Sequence, residues 1–103
     1  MFSYELVQDG QSVTIYFKGD LDIEVTEIME EIIQELQFFE TIHINLSEVL
    51  FVDSTGIGLL INLVNTLKQE NKHVMISGTQ PEVEEVFKII QLKEILGEEI
   101  FVK

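Results

Sequence analysis

Val13-Thr14-Ile15-Tyr16-Phe17-Lys18-Gly19 alternates apolar and polar side chains, the period of a strand with one buried face. Gly19 ends that strand, and Asp20-Leu21-Asp22 leads out of it into a different rhythm. From Glu24 to Phe39, Val25, Ile28, Met29, Ile32, Ile33 and Leu36 recur at helical spacing as one apolar stripe. Glu24, Glu27, Glu30, Glu31 and Glu35 occupy the rest, and no lysine interrupts them. The helix therefore presents an acidic face.

Working outward, Tyr4 to Val7 reads as a strand, joined to the first by an Asp9-Gly10 hairpin turn. Downstream, Ile42, Ile44 and Leu46 alternate as a third strand. Ser47 to Val52 is expected to be a connecting loop anchored by Val49 and Phe51. Ser54 or Thr55 opens a second helix that runs to about Glu70. Its stripe, Ile57, Leu60, Ile61, Val64 and Leu67, is widened by Leu59 and Leu63, so this helix should be largely buried. Val74 to Ser77 is a fourth strand ended by Gly78, and Pro81 suits the first turn of a third helix. That helix turns Val83, Val86, Phe87 and Ile90 inward, and Glu98 to Val102 is expected to form a short last strand. The order is β-β-α-β-α-β-α-β. Helices returning between strands imply parallel pairing, and the opening hairpin adds an antiparallel pair. The expected fold is a single α/β domain over residues 1–103, a mixed β-sheet flanked by helices, with no linker or repeat.

The chain's 103 residues suit one core, and 46% hydrophobic content argues against disorder. There is no cysteine, and His43 and His73 stand alone, so neither a disulfide nor a metal centre is expected. The N-terminus has no basic or apolar run of the kind a signal peptide needs. The most apolar window, Ile57 to Val64, is far short of the roughly 20 residues of a membrane span. A cytoplasmic protein that does not enter the membrane is expected. Nineteen carboxylates against six lysines give a net charge of −13, which repels nucleic acid and anionic membranes. Such a charge serves solubility, or else complements a partner with a basic or polar docking surface.

Catalytic readings of Ser54 fail on the residues around it. A hydrolase nucleophile elbow needs glycine two residues before the serine, where this chain has Val52. The available bases are His43 and His73, both in strand contexts. Gly56-x-Gly58 lacks the third glycine of a dinucleotide fingerprint, Ile61 standing there, and no Gly-Lys-Ser/Thr is present. No catalytic residue and no cofactor are expected. Asp20 and Asp22 share a face and could hold Mg²⁺ or act as acid and base, though the spacing favours a loop that caps the first helix. Ser54 itself keeps two readings. Asp53 or Ser54 is an N-cap by local physics. The same helix start, with its partial positive charge and free N–H groups, also tolerates an added phosphate. Gly56 and Gly58 remove bulk beside it, which would let a modifying enzyme approach.

Leu46-Ser47-Glu48-Val49-Leu50-Phe51-Val52-Asp53-Ser54-Thr55-Gly56-Ile57-Gly58 resembles the signature of the STAS domain family of bacterial anti-sigma factor antagonists. In that family a strand ends in Asp-Leu-Ser, and a short loop leads to Asp-Ser-Ser/Thr-Gly-Leu/Ile-Gly. Gly19-Asp20-Leu21-Asp22 resembles the family's Gly-Glu/Asp-Leu-Asp after the second strand, and the order of elements matches throughout. The resemblance implies that Ser54 is a phosphoacceptor for a serine kinase that is also the anti-sigma factor. The unphosphorylated form would bind this kinase and free the sigma factor, and a PP2C-type phosphatase would reset the cycle. By the same resemblance Asp20 and Asp22 form the acidic loop beside the phosphosite, and Asp53, Thr55 and Gly56 its immediate frame. The chain departs from the family at Asn45, where an aspartate is common, and in the wholly acidic first helix. The alternative expectation keeps the fold, without sigma-factor control, as a scaffold or sensor subunit of a larger signalling assembly, or as the cytoplasmic accessory subunit of a transporter.

Overall fold

The computed structural model describes residues 1–102. Strands β1 (Ser3–Asp9) and β2 (Ser12–Lys18) form an antiparallel hairpin with Asp9 opposite Ser12. Next come a 3₁₀ turn at Ile23–Val25, helix α1 (Thr26–Leu36) and strand β3 (Thr41–Glu48), parallel to β2. Helix α2 (Ser54–Gln69) returns the chain to β4 (His73–Ser77), parallel to β3. Helices α3 (Pro81–Ile89) and α4 (Leu92–Leu96) and a 3₁₀ turn at Glu98–Ile100 complete the chain. The sheet order is β1-β2-β3-β4, the mixed α/β architecture expected from the patterning.

Alternation decides which face is covered. Val13, Ile15 and Phe17 of β2 and Ile42, Ile44 and Leu46 of β3 are buried toward the helices, where Ile32, Leu36, Leu60 and Val64 meet them. Burial of each such side chain contributes roughly 1.5–3 kcal/mol. The intervening Thr14, Tyr16, His43 and Asn45 face the other way and stay partly exposed. His43 hydrogen-bonds the buried Ser77 across the β3–β4 pair, as an ordinary strand histidine does.

Four expectations are corrected. The first helix starts later than Glu24, because Asp22 accepts the Glu24 N–H at 3.0 Å and winds a 3₁₀ turn before Thr26. Ser47 and Glu48 belong to β3, and of the two loop anchors Val49 is buried while Phe51 is 52% exposed. Val52 takes the anchoring place. The expected strand Glu98–Val102 is a 3₁₀ turn that sinks Ile100 into the core, followed by a single bridge from Phe101 to Ile76. Finally, α4 was not expected; its Leu92 and Leu96, one helical turn apart, are both buried, and Gly97 follows them.

Candidate functional site

Two loops leave the sheet side by side at the carboxyl ends of β2 and β3. The Leu21 N–H donates to the Phe51 carbonyl at 3.0 Å, and the Asp53 N–H donates to the Leu21 carbonyl at 3.2 Å. Leu21 and Val52 thus form a parallel bridge outside the named strands, with both side chains buried. This seam joins Asp20-Leu21-Asp22 to Val52-Asp53-Ser54 through backbone alone.

Gly56 closes the seam from the helix side. It is buried, and a Cβ there would run into the Leu21 carbonyl and come within 3.1 Å of the Asp22 nitrogen. Gly56 therefore lets α2 press against the neighbouring loop, rather than opening space for an approaching enzyme. Gly58 is the one that leaves open space: it is exposed, and a Cβ there would meet nothing within 4 Å.

The cap assignment is also settled. Asp53, in extended conformation, accepts the Gly56 N–H at 2.8 Å through its carboxylate, and its carbonyl accepts the Ile57 N–H at 2.9 Å. Asp53 is the N-cap, which leaves Ser54 as the first helical residue, exposed, with its hydroxyl outside the cap. Thr55 beside it is exposed as well. The helix start contributes partial positive charge at Ser54, in a surrounding that is otherwise acidic. Asp22 caps its own 3₁₀ turn and Asp20 is exposed, so the two carboxylates flank the seam with different duties.

One feature of this surface escaped the sequence pattern. Ile23, Leu50 and Phe51 are 67%, 65% and 52% exposed, and all three sit on the two seamed loops that flank Ser54. Nothing local marked Leu50 and Phe51 as exposed, because an irregular loop has no period that assigns faces, and Val49 and Val52 on either side are buried. The site is thus an exposed serine on a helix start, framed by Asp20, Asp22 and Asp53 and rimmed by three apolar side chains.

The STAS domain family matches residues 3–103, essentially the whole chain. The chain belongs to that family. Among relatives of this STAS domain is an anti-sigma-B factor antagonist of Staphylococcus epidermidis, 31% identical over 80 residues, covering 76% of this chain and 74% of that protein. The anti-sigma factor antagonist SpoIIAA in its unphosphorylated form superimposes with a TM-score of 0.75 at 23% identity, over 97% of this chain and 86% of that one. The phosphorylated form of the Bacillus protein gives 0.70 at the same identity, over 97% and 89%. A sulfate transporter family protein from Wolinella succinogenes shares the fold at a TM-score of 0.78 and 16% identity, over 92% and 79%. No helix among the described residues is long and apolar enough to cross a membrane.

Proposed function

We propose that this STAS domain is a cytoplasmic anti-sigma factor antagonist switched by phosphorylation of Ser54. Unmodified, the Ser54 face docks on an anti-sigma factor that is also a serine kinase, and the sigma factor is released. That kinase then phosphorylates Ser54 and the complex separates, until a PP2C-type phosphatase restores the serine. The observation that carries the reading is the division of labour at the start of α2: Asp53 supplies the cap and Ser54 stays exposed beside it. The naming of a relative at 31% identity as an anti-sigma-B factor antagonist points the same way.

The energetics suit a switch that moves no backbone. A phosphate adds about −1.5 to −2 charge at pH 7 to a helix start that tolerates an anion. At the docking face that charge must be desolvated, and it meets any acidic group of the partner. Like-charge juxtaposition in an interface costs several kcal/mol, more than about 100-fold in affinity. Ile23, Leu50 and Phe51 supply the apolar contact, and Asp20, Asp22, Asp53, Thr55 and Gly56 hold the frame. The protein supplies no catalytic group of its own; the chemistry at Ser54 belongs to the kinase and the phosphatase.

The test is incubation with Mg-ATP and the serine kinases of its own genome, followed by mass measurement. One added phosphate that disappears in Ser54→Ala is expected. No modification by any of them, together with unchanged partner binding by Ser54→Asp, would refute the proposal. A second reading, an accessory domain of a transporter, draws on the fold shared with the Wolinella protein. Recovery of the chain with a membrane transporter, rather than with a soluble kinase, would favour it.

A further inference from the structure

The two edges of the sheet are finished differently. At β4 the Val102 N–H donates to the Ile76 carbonyl at 2.9 Å and Phe101 pairs with Ile76, so the chain makes one bridge to that edge. At the far side β1 pairs with β2 and ends the sheet. Its seven residues contain no proline and no lysine, and its register with β2 shows no bulge. Those are among the devices that usually blunt an exposed edge, and of the charged kind β1 has Glu5 and Asp9, on the face away from α1.

The hairpin determines which backbone groups of β1 are free. Asp9 and Ser12 close a two-residue loop whose first residue, Gly10, has φ +61°. The closing pair of such a hairpin exchanges hydrogen bonds. Alternation then turns the N–H and C=O groups of Ser3, Glu5, Val7 and Asp9 toward β2, and those of Tyr4, Leu6 and Gln8 outward.

What flanks these free groups is acidic. The Tyr4 hydroxyl reaches the carboxylates of Glu31 and Glu35, which places the side-chain row of Tyr4, Leu6 and Gln8 on the α1 side of the sheet. A groove of about 310 Å³ lies just before the start of β1, between Met1-Phe2 and the α1 flank, with Glu24, Glu27, Ile28 and Glu31 along it. On the opposite face Glu5 and Asp9 are exposed, and Lys18 answers Glu5 at 3.2 Å.

We propose that the β1 edge receives an extended basic segment of a partner protein, which adds to the sheet as a further strand. Main-chain hydrogen bonds to Tyr4, Leu6 and Gln8 supply the register, and lysine or arginine at every second residue rises toward Glu27 and Glu31. Charge selects this occupant over a second copy. Each copy carries −13, and pairing two β1 edges would bring two acidic α1 faces together. The surface makes no use of Ser54, and the proposal stands apart from phosphorylation.

The probe is a synthetic peptide of alternating lysine and threonine, matched to the seven residues of β1, titrated into the ¹⁵N-labelled full chain at low salt. The control peptide carries glutamate in place of lysine. Saturable shifts and slowed solvent exchange at the amides of Tyr4, Leu6 and Gln8 are expected with the basic peptide, and none with the acidic one. Gln8→Pro removes an outward N–H from an exposed position and spares both the β1–β2 ladder and the core. It and the charge reversal Glu27→Lys should each weaken binding roughly tenfold, with the remaining amide spectrum unchanged. Binding that survives Gln8→Pro, shifts confined to α1, or no saturable binding would overturn the proposal. Self-association in sedimentation that Gln8→Pro abolishes would overturn it too, because the occupant would then be a second copy.

Discussion

The carboxyl and amino ends of the sheet are closed by different means. At the carboxyl end, backbone meets backbone: Leu21, Phe51 and Asp53 exchange hydrogen bonds, and Gly56 lies against the Leu21 carbonyl with no side chain between. At the amino end backbone bonds, from the Glu40 and Thr41 N–H groups to Gln11 O at 2.8 and 3.2 Å and from the His73 N–H to Glu40 O at 2.9 Å, are joined by a side chain. Lys72 reaches the last carbonyls around α1, donating to Gln37 O at 3.1 Å and Phe39 O at 2.7 Å, which satisfies acceptors a helix end leaves unpaired. The difference lies in what is added to the backbone bonds: a glycine pressed on a carbonyl cannot relax by a change of rotamer, whereas a lysine tether can be replaced by water. The end that presents Ser54 thus has a close helix-to-loop backbone approach, and it also exposes Ile23, Leu50 and Phe51.

The sharpest way to break this contrast is Gly56→Ala. The new methyl meets the Leu21 carbonyl, and a loss of about 3 kcal/mol in urea unfolding is expected, at the upper end for an overpacked site. Close in size, and confined to binding, is Ser54→Asp. It should leave the unfolding midpoint nearly unchanged while weakening the kinase-type partner about 100-fold in calorimetric titration. At the opposite end Lys72→Met keeps the aliphatic stem but drops the charge-assisted bonds, and should cost about 1 kcal/mol. The smallest change has the opposite sign. Gly58→Ala enters open space in a helix interior and should raise stability by roughly 0.5–1 kcal/mol. If the two glycine substitutions behaved alike, the seam would not be what distinguishes them.

Much of this was legible in the sequence because the periods are clean. Val13, Ile15 and Phe17, then Ile42, Ile44 and Leu46, repeat every second residue, and each turned out to be buried. The stripe from Ile57 to Leu67 and the change of rhythm after Gly19 set the helices, and the motif around Ser54 pointed to the candidate site. What was hidden depends on contacts between segments distant in sequence. Nothing local distinguishes Gly56 from Gly58; only the Leu21 carbonyl does. Asp53 and Ser54 are comparable caps by type, and extended backbone at Asp53 decides between them. The segment Glu98–Val102 has the composition of a strand, yet it follows Gly97, at φ +101°, and sinks Ile100 into the core instead of pairing along β4.

The seam also bears on when the Ser54 surface comes into being. Leu21 can reach Val52 only after β2 and β3 have aligned, so the surface is assembled from contacts that close a long loop. A nascent or damaged chain contains the same serine but lacks the capped helix start and the adjoining acidic loop. Under the proposed switch, an enzyme that recognises that geometry would act on folded molecules alone, and the level of modification would report the folded population rather than the total amount of protein made.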